Sequence, residues 1–114
     1  MRIIAGNFKG IVIFGPKNKK IRPLKDMVRE SIFNFLIHSN KFSFQIENSA
    51  ILDLYSGTGS FGLECLSRLA RKTIFIEKHQ EAINARWASC ALKRNHPTGY
   101  DRKGIYGWKS LFRF

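Results

Sequence analysis

One stretch constrains this chain more than any other: Ile51-Leu52-Asp53-Leu54-Tyr55-Ser56-Gly57-Thr58-Gly59-Ser60-Phe61-Gly62. An apolar run carrying one carboxylate feeds a glycine-rich turn, and the turn opens a helical pattern. Gly57, Gly59 and Gly62 form G-x-G-x-x-G, a spacing that lets backbone approach a nucleotide-like cofactor closely. The acid four residues before the first glycine narrows the choice of cofactor. A dinucleotide brings a pyrophosphate, which a carboxylate beside the turn would repel. S-adenosylmethionine (SAM) brings a sulfonium cation and an ammonium group, for which the same carboxylate is tolerable or useful. Charge therefore favours SAM over NAD.

A second acid completes the unit. Leu63-Glu64-Cys65-Leu66-Ser67-Arg68-Leu69 reads as a short helix, and Lys72-Thr73-Ile74-Phe75-Ile76-Glu77 as a buried strand ending in a carboxylate. Glu77 lies twenty residues after Gly57, where a Rossmann-like unit places the acid that accepts hydrogen bonds from ribose hydroxyls. Strand, glycine turn, helix, strand and acid make one β-α-β unit. Each part has a plainer reading: glycines that only shape a turn, an Asp53 that caps a helix terminus, a Glu77 that is a solvated strand end. Their coincidence at these spacings favours the cofactor.

At 114 residues the chain is at most one domain. No apolar run is long enough to span a bilayer, and Met1–Gly6 is too short for a signal peptide. Cys65 and Cys90 lack metal or redox spacing, and Cys65 falls in an apolar helix as a buried free thiol. The expectation is a cytoplasmic protein with no metal and no membrane partner. The net charge of +12, from 20 Lys and Arg against 8 Asp and Glu, favours a polyanionic partner, nucleic acid ahead of an anionic membrane surface.

Residues 1–22 read as a hairpin with a basic loop. Arg2–Ala5 and Gly10–Phe14 are β-prone runs around Gly6-Asn7-Phe8-Lys9. Lys17, Lys19, Lys20, Arg22 and Lys25 follow within nine residues, a suitable contact for a phosphate backbone. From Leu24 to His38 the spacing predicts an amphipathic helix with Met27, Val28, Ile32, Phe35 and Leu36 on its apolar face and Arg29 and Glu30 off it. A further helix is expected from about His79 to Lys93. Beyond His96-Pro97 the pattern dissolves, with no confident strand in 98–114. The division is thus a hairpin and loop (1–22), a partial SAM-binding Rossmann-like domain (23–96) and a basic, aromatic tail (97–114).

The chain resembles the RsmD-type family of bacterial 16S rRNA guanine-N2 methyltransferases. Met1–Gly6 with Lys9-Gly10 is similar to that family's opening. Arg22-Pro23, Val28-Arg29-Glu30 and Phe33-Asn34 resemble the lead into its first helix. Leu52–Gly59 with Gly62-Leu63-Glu64 looks like its SAM motif, and Ile76-Glu77-Lys78 like the end of its second strand. The resemblance implies an α/β fold, a Rossmann-like class I SAM-dependent methyltransferase fold with an N-terminal β-hairpin. It implies methyl transfer to the exocyclic amine of a guanine in 16S rRNA or the small ribosomal subunit. Carried over by position, Asp53, Tyr55, Gly57, Gly59 and Glu77 are the cofactor-binding set. Arg2, Lys9, Lys17, Lys19, Lys20 and Arg22 are the RNA-binding set.

One departure limits the expectation. The family carries a [DN]-P-P-[FY] loop that orients the target amine, whose lone pair is delocalised into the ring and must be localised before attack. Here the three prolines, Pro16, Pro23 and Pro97, are never adjacent, and the likeness fades from about Ala85. The expectation is a C-terminally truncated or frame-shifted copy with no catalytic residue of its own. The alternative is a non-catalytic basic RNA-binding fragment. Two core strands and a hairpin would also leave an exposed sheet edge and unburied apolar faces, hence marginal folding.

Overall fold

The computed structural model describes residues 1–15, 24–39, 43–91 and 105–108. Their elements run α1 (Asp26–His38), β1 (Ala50–Leu54), α2 (Ser60–Ser67), β2 (Lys72–Ile76), α3 (Gln80–Ala91) and β3 (Ile105–Trp108). The strands form one parallel sheet in the order β1-β2-β3. Ala50 pairs with Lys72 and Leu54 with Ile76, so Asp53 and Glu77 both emerge at the carboxyl ends of adjacent strands. β3 is a correction to the sequence reading, which expected no strand beyond residue 98. Ile105 to Trp108 pair with Thr73 to Ile76. Ile105, Tyr106 and Trp108 are strand-prone, but Gly107 breaks the run, and the edge of β2 supplies the pairing.

The N-terminal runs pair as expected, though over a short span. Arg2 and Val12 form an antiparallel bridge. Around it Ile3 N–H donates to Ile11 O at 2.9 Å, Gly10 N–H to Ile3 O at 2.8 Å, and Ile13 N–H to Met1 O at 2.8 Å. So small a hairpin is marginal by itself and is held by α2. Ile3, Phe8 and Ile13 pack with Leu63 and Leu66 of α2 and Phe75 of β2. Seven of the eight α2 residues are buried, because the helix lies between hairpin and sheet.

A buried polar seam joins these layers. Glu64, fully buried, accepts the N–H groups of Ile4 at 2.8 Å and Ala5 at 2.9 Å. It also accepts Arg68 Nε at 3.1 Å and lies 3.8 Å from Arg29 Nε. One turn on, Ser67 Oγ donates to Ala5 O at 2.5 Å and accepts Phe8 N–H at 3.0 Å, while its carbonyl accepts Asn7 N–H at 2.8 Å.

The apolar face expected of α1 is corrected by the same seam. Met27 is 77% exposed, Val28, Phe35 and Ile37 are also exposed, and the fully buried residues are Arg29 and Phe33. Arg29 Nη2 donates to Asp26 Oδ1 at 2.9 Å and to the carbonyl of Arg2, and Phe33 stacks on Phe61 with centroids 4.8 Å apart. The helix packs through this narrow i, i+4 stripe, which charge pairing selects over hydropathy. On the sheet, Thr73 and Phe75 are fully buried, whereas Leu52 and Leu54, on the other face, are 57% and 54% exposed. Among the described residues β1 pairs on one side only, so the free edge and open apolar face expected from the sequence are present.

Candidate cofactor site

The glycine turn closes over the ends of β1 and β2. Ser56 N–H donates to Ile76 O at 3.0 Å, and Gly59 N–H donates to Ser56 O at 2.7 Å. Gly57 and Gly59 adopt left-handed φ values of 54° and 76°, a region open to glycine at little cost. A side chain at Gly57 would meet nothing within 4 Å, so its Cα faces open space. Gly62 serves packing: a Cβ there would lie 2.4 Å from Phe75 Cε1, and its absence lets α2 approach the sheet.

A cleft of about 510 Å³ opens in front of the turn. Asp53, Tyr55, Ser56, Gly57, Thr58 and Ser60 form one wall, and Leu24, Lys25 and Val28, at the start of α1, form another. Tyr55 is 91% exposed and holds φ at 55°, an uncommon conformation for a bulky residue. The cleft thus gathers Asp53, Tyr55 and Gly57 of the expected cofactor set. Gly59 lies beneath the turn, and Glu77 touches it from the side.

The two acids do different work. Asp53 Oδ2 accepts the Gly62 N–H at 3.1 Å. Burial pushes its carboxyl above the ordinary range, the Gly62 N–H and Arg86 draw it back, and the Glu77 charge adds to the rise. Glu77 Oε2 accepts Gly57 N–H at 2.8 Å, and its Oε1 accepts the N–H groups of Lys78 and His79, both at 2.8 Å. Burial alone would raise this carboxyl too, but the His79, Gly57 and Lys78 donors outweigh it and hold it below the usual value. Two acceptor positions on each carboxylate oxygen leave Oε2 able to take another donor.

The opposite shifts predict opposite pH dependences. Glu77, lowered on folding, stabilises the fold above its unfolded value, and that contribution is lost as pH falls through its folded value. Asp53, raised on folding, opposes the fold when ionised, and this opposition is relieved as pH falls through its folded value. Asp53→Asn should therefore raise the unfolding midpoint at neutral pH, with the gain shrinking at mildly acid pH. Melting both proteins at the two pH values checks this, and a less stable variant at neutral pH would contradict it.

Three buried groups escaped the sequence reading. Arg86, 2% exposed, donates from Nη1 to Ser56 Oγ at 3.0 Å. Its one signal was a cation on the face that Ala82 and Ile83 define in α3. Glu64 was an acid inside an apolar helix, and Arg29 was read as off the buried face. The Cys65 thiol is free and buried as expected. Burial, with the Asp53 and Glu64 charges adding, pushes it up to about 12. Of the expected RNA set, Arg2 and Lys9 lie exposed on the hairpin, while Lys17, Lys19, Lys20 and Arg22 fall outside the described residues. The side chain of Cys90 does too. Among the described residues no cluster of His, Cys, Asp or Glu could hold a metal ion, and no helix is long and apolar enough to cross a membrane.

The family described as conserved hypothetical protein 95 matches residues 1–96. The chain belongs to this family. Ribosomal RNA small subunit methyltransferase D of Haemophilus influenzae is 37% identical over 98 residues, covering 86% of this chain and 45% of that protein. The Escherichia coli protein of the same name is 38% identical over 77 residues, covering 68% and 36%. Among solved structures, the Escherichia coli chain yhhF, provisionally assigned as a methyltransferase, superposes with a TM-score of 0.72 at 26% identity. The match covers 96% of this chain and 52% of that one. These matches bear out the RsmD-type resemblance and the partial Rossmann-like methyltransferase fold. The chain spans from about a third to about half of the length of these relatives.

Proposed function

We propose that this chain is the SAM-binding part of a cytoplasmic rRNA methyltransferase of the guanine-N2 type, and that alone it holds the methyl donor without delivering the methyl group. The observation that carries the reading is the turn between Asp53 and Glu77, where the Gly57 N–H is held by Glu77 and its Cα faces open space. The donor set fits SAM. Glu77 Oε2 would accept from the ribose hydroxyls, Asp53 would face the cationic methionine part, and the space in front of Gly57 admits a ligand against bare backbone. When bound, SAM supplies a methyl group on a sulfonium. Tyr55 and the start of α1 would wall it in the cleft. Keeping Asp53 ionised matters to a cationic ligand, and Arg86 favours that form.

The rRNA part of the proposal rests on the relatives' names, the +12 charge and the exposed Arg2 and Lys9. The basic loop bearing Lys17, Lys19, Lys20 and Arg22 would extend that contact. Without adjacent prolines this sequence has no [DN]-P-P-[FY] loop to localise the amine lone pair, so no turnover on small-subunit RNA is expected from this polypeptide alone. Measured methyl transfer would overturn that.

Calorimetry with SAM and with NAD tests the cofactor. SAM should bind and NAD should not. Glu77→Ala should weaken SAM by roughly ten- to a hundredfold, the worth of a hydrogen bond to a charged group. Steeply salt-dependent RNA retention on filters without SAM uptake would favour the plain RNA-binding fragment instead.

A further inference from the structure

We propose that Arg86 is the positioning residue of the glycine turn, reaching from α3 to fix Ser56 and Gly59 and to set a positive charge facing Asp53. Ser56 is the pivot of the turn. Its Oγ–H can donate to Ile76 O, 3.3 Å away, which leaves the oxygen free to accept from Arg86 Nη1 at 3.0 Å. The Arg86 stem fills the space that a Gly59 side chain would need. A Cβ there would stand 2.7 Å from Arg86 Cδ and 3.2 Å from Cγ. The guanidinium lies over the Phe75 ring, 4.6 Å from its centroid, so its plane is braced by the sheet. One side chain thus touches the turn at two points and the strand beneath it.

The charge matters as much as the contact. Asp53 is faced by Glu77 from the end of β2, Cys65 from α2, the Gly62 N–H and Arg86 from α3, with Lys25 of the α1 cap in the same cleft. Among these, Arg86 is the cation that draws the carboxyl down against its burial. Its consequence for a ligand rests on the SAM reading of the cleft; its effect on the turn does not.

The test uses the full chain without ligand. NMR follows the amides of Gly57, Gly59 and Gly62 and titrates the Asp53 carboxyl in four proteins. Arg86→Met should move the turn amides and raise the Asp53 midpoint. Arg86→Lys keeps the charge and loses the fork, so the amides should move while the midpoint stays near wild type. Ser56→Ala removes the acceptor of Arg86, along with the Oγ–H that can donate to Ile76 O, and should move the Gly59 amide with little change in midpoint. Turn amides and a midpoint in Arg86→Met that coincide with wild type overturn the proposal. If that variant does not fold, an unmoved Gly59 amide in both Ser56→Ala and Arg86→Lys overturns it.

Calorimetry with S-adenosylhomocysteine adds the ligand arm, where Arg86→Met should bind roughly tenfold more weakly. A wild type that binds no S-adenosylhomocysteine overturns the cofactor reading and leaves the NMR series to decide the role of Arg86. Equal binding by wild type and Arg86→Met overturns that role for the ligand.

Discussion

Glu64→Gln should lower the free energy of unfolding by about 3–5 kcal/mol, the cost of removing one partner from a buried charge pair. Glu64 gathers two backbone N–H groups, Arg68 and Arg29 at one buried carboxylate. A glutamine would turn an NH₂ towards donors and leave at least one N–H without an acceptor. Stabilities of whole domains are only about 5–15 kcal/mol, so the loss is a large share of the total. Denaturant unfolding gives the magnitude. Hydrogen exchange locates it, because the amides of Ile4 and Ala5 should lose protection before those of β2. An unchanged midpoint would mean that the seam is not what fastens the hairpin.

Gly6→Ala should be comparably damaging, on the order of 3 kcal/mol or more, from backbone strain and overpacking together. Gly6 has φ of 81°, and a Cβ there would fall 2.0 Å from the carbonyl oxygen of Ser67 and 2.4 Å from its carbon. Both atoms are backbone, so neither can turn aside, and the hairpin must lift off α2. Gly10 is the built-in control. Its φ is 85° and a side chain there would meet nothing within 4 Å. Gly10→Ala should therefore show the strain alone, about 1 kcal/mol. Equal losses at the two positions would show that packing against Ser67 contributes nothing.

The β-α-β unit was legible in the sequence because each part carries a local signal: alternating apolar residues, glycines where the backbone must be left-handed, acids at strand ends. The hairpin was legible for the same reason. What was not legible depends on partners far along the chain. The burial of Arg29 is set by Glu64, thirty-five residues later, and no periodicity in α1 announces it. β3 pairs on the edge that β2 offers, and its strand-prone Ile105, Tyr106 and Trp108 are too short a run, broken by Gly107, to announce it. Arg86 looked like an ordinary helix cation because its acceptor, Ser56, lies thirty residues earlier on the turn. Buried charges in this protein are placed by each other.

The Glu64 seam also sets an order of events during synthesis. Ile4 and its acceptor are 60 residues apart, so the hairpin waits about 3–12 seconds, at 5–20 residues per second, before its partner is made. Through that interval the amides of Ile4 and Ala5 have no carboxylate to bond, and Ile3, Phe8 and Ile13 lack Leu63, Leu66 and Phe75 to pack on. The hairpin therefore cannot dock until α2 has been made, and factors that shield nascent apolar segments should act on it in the meantime.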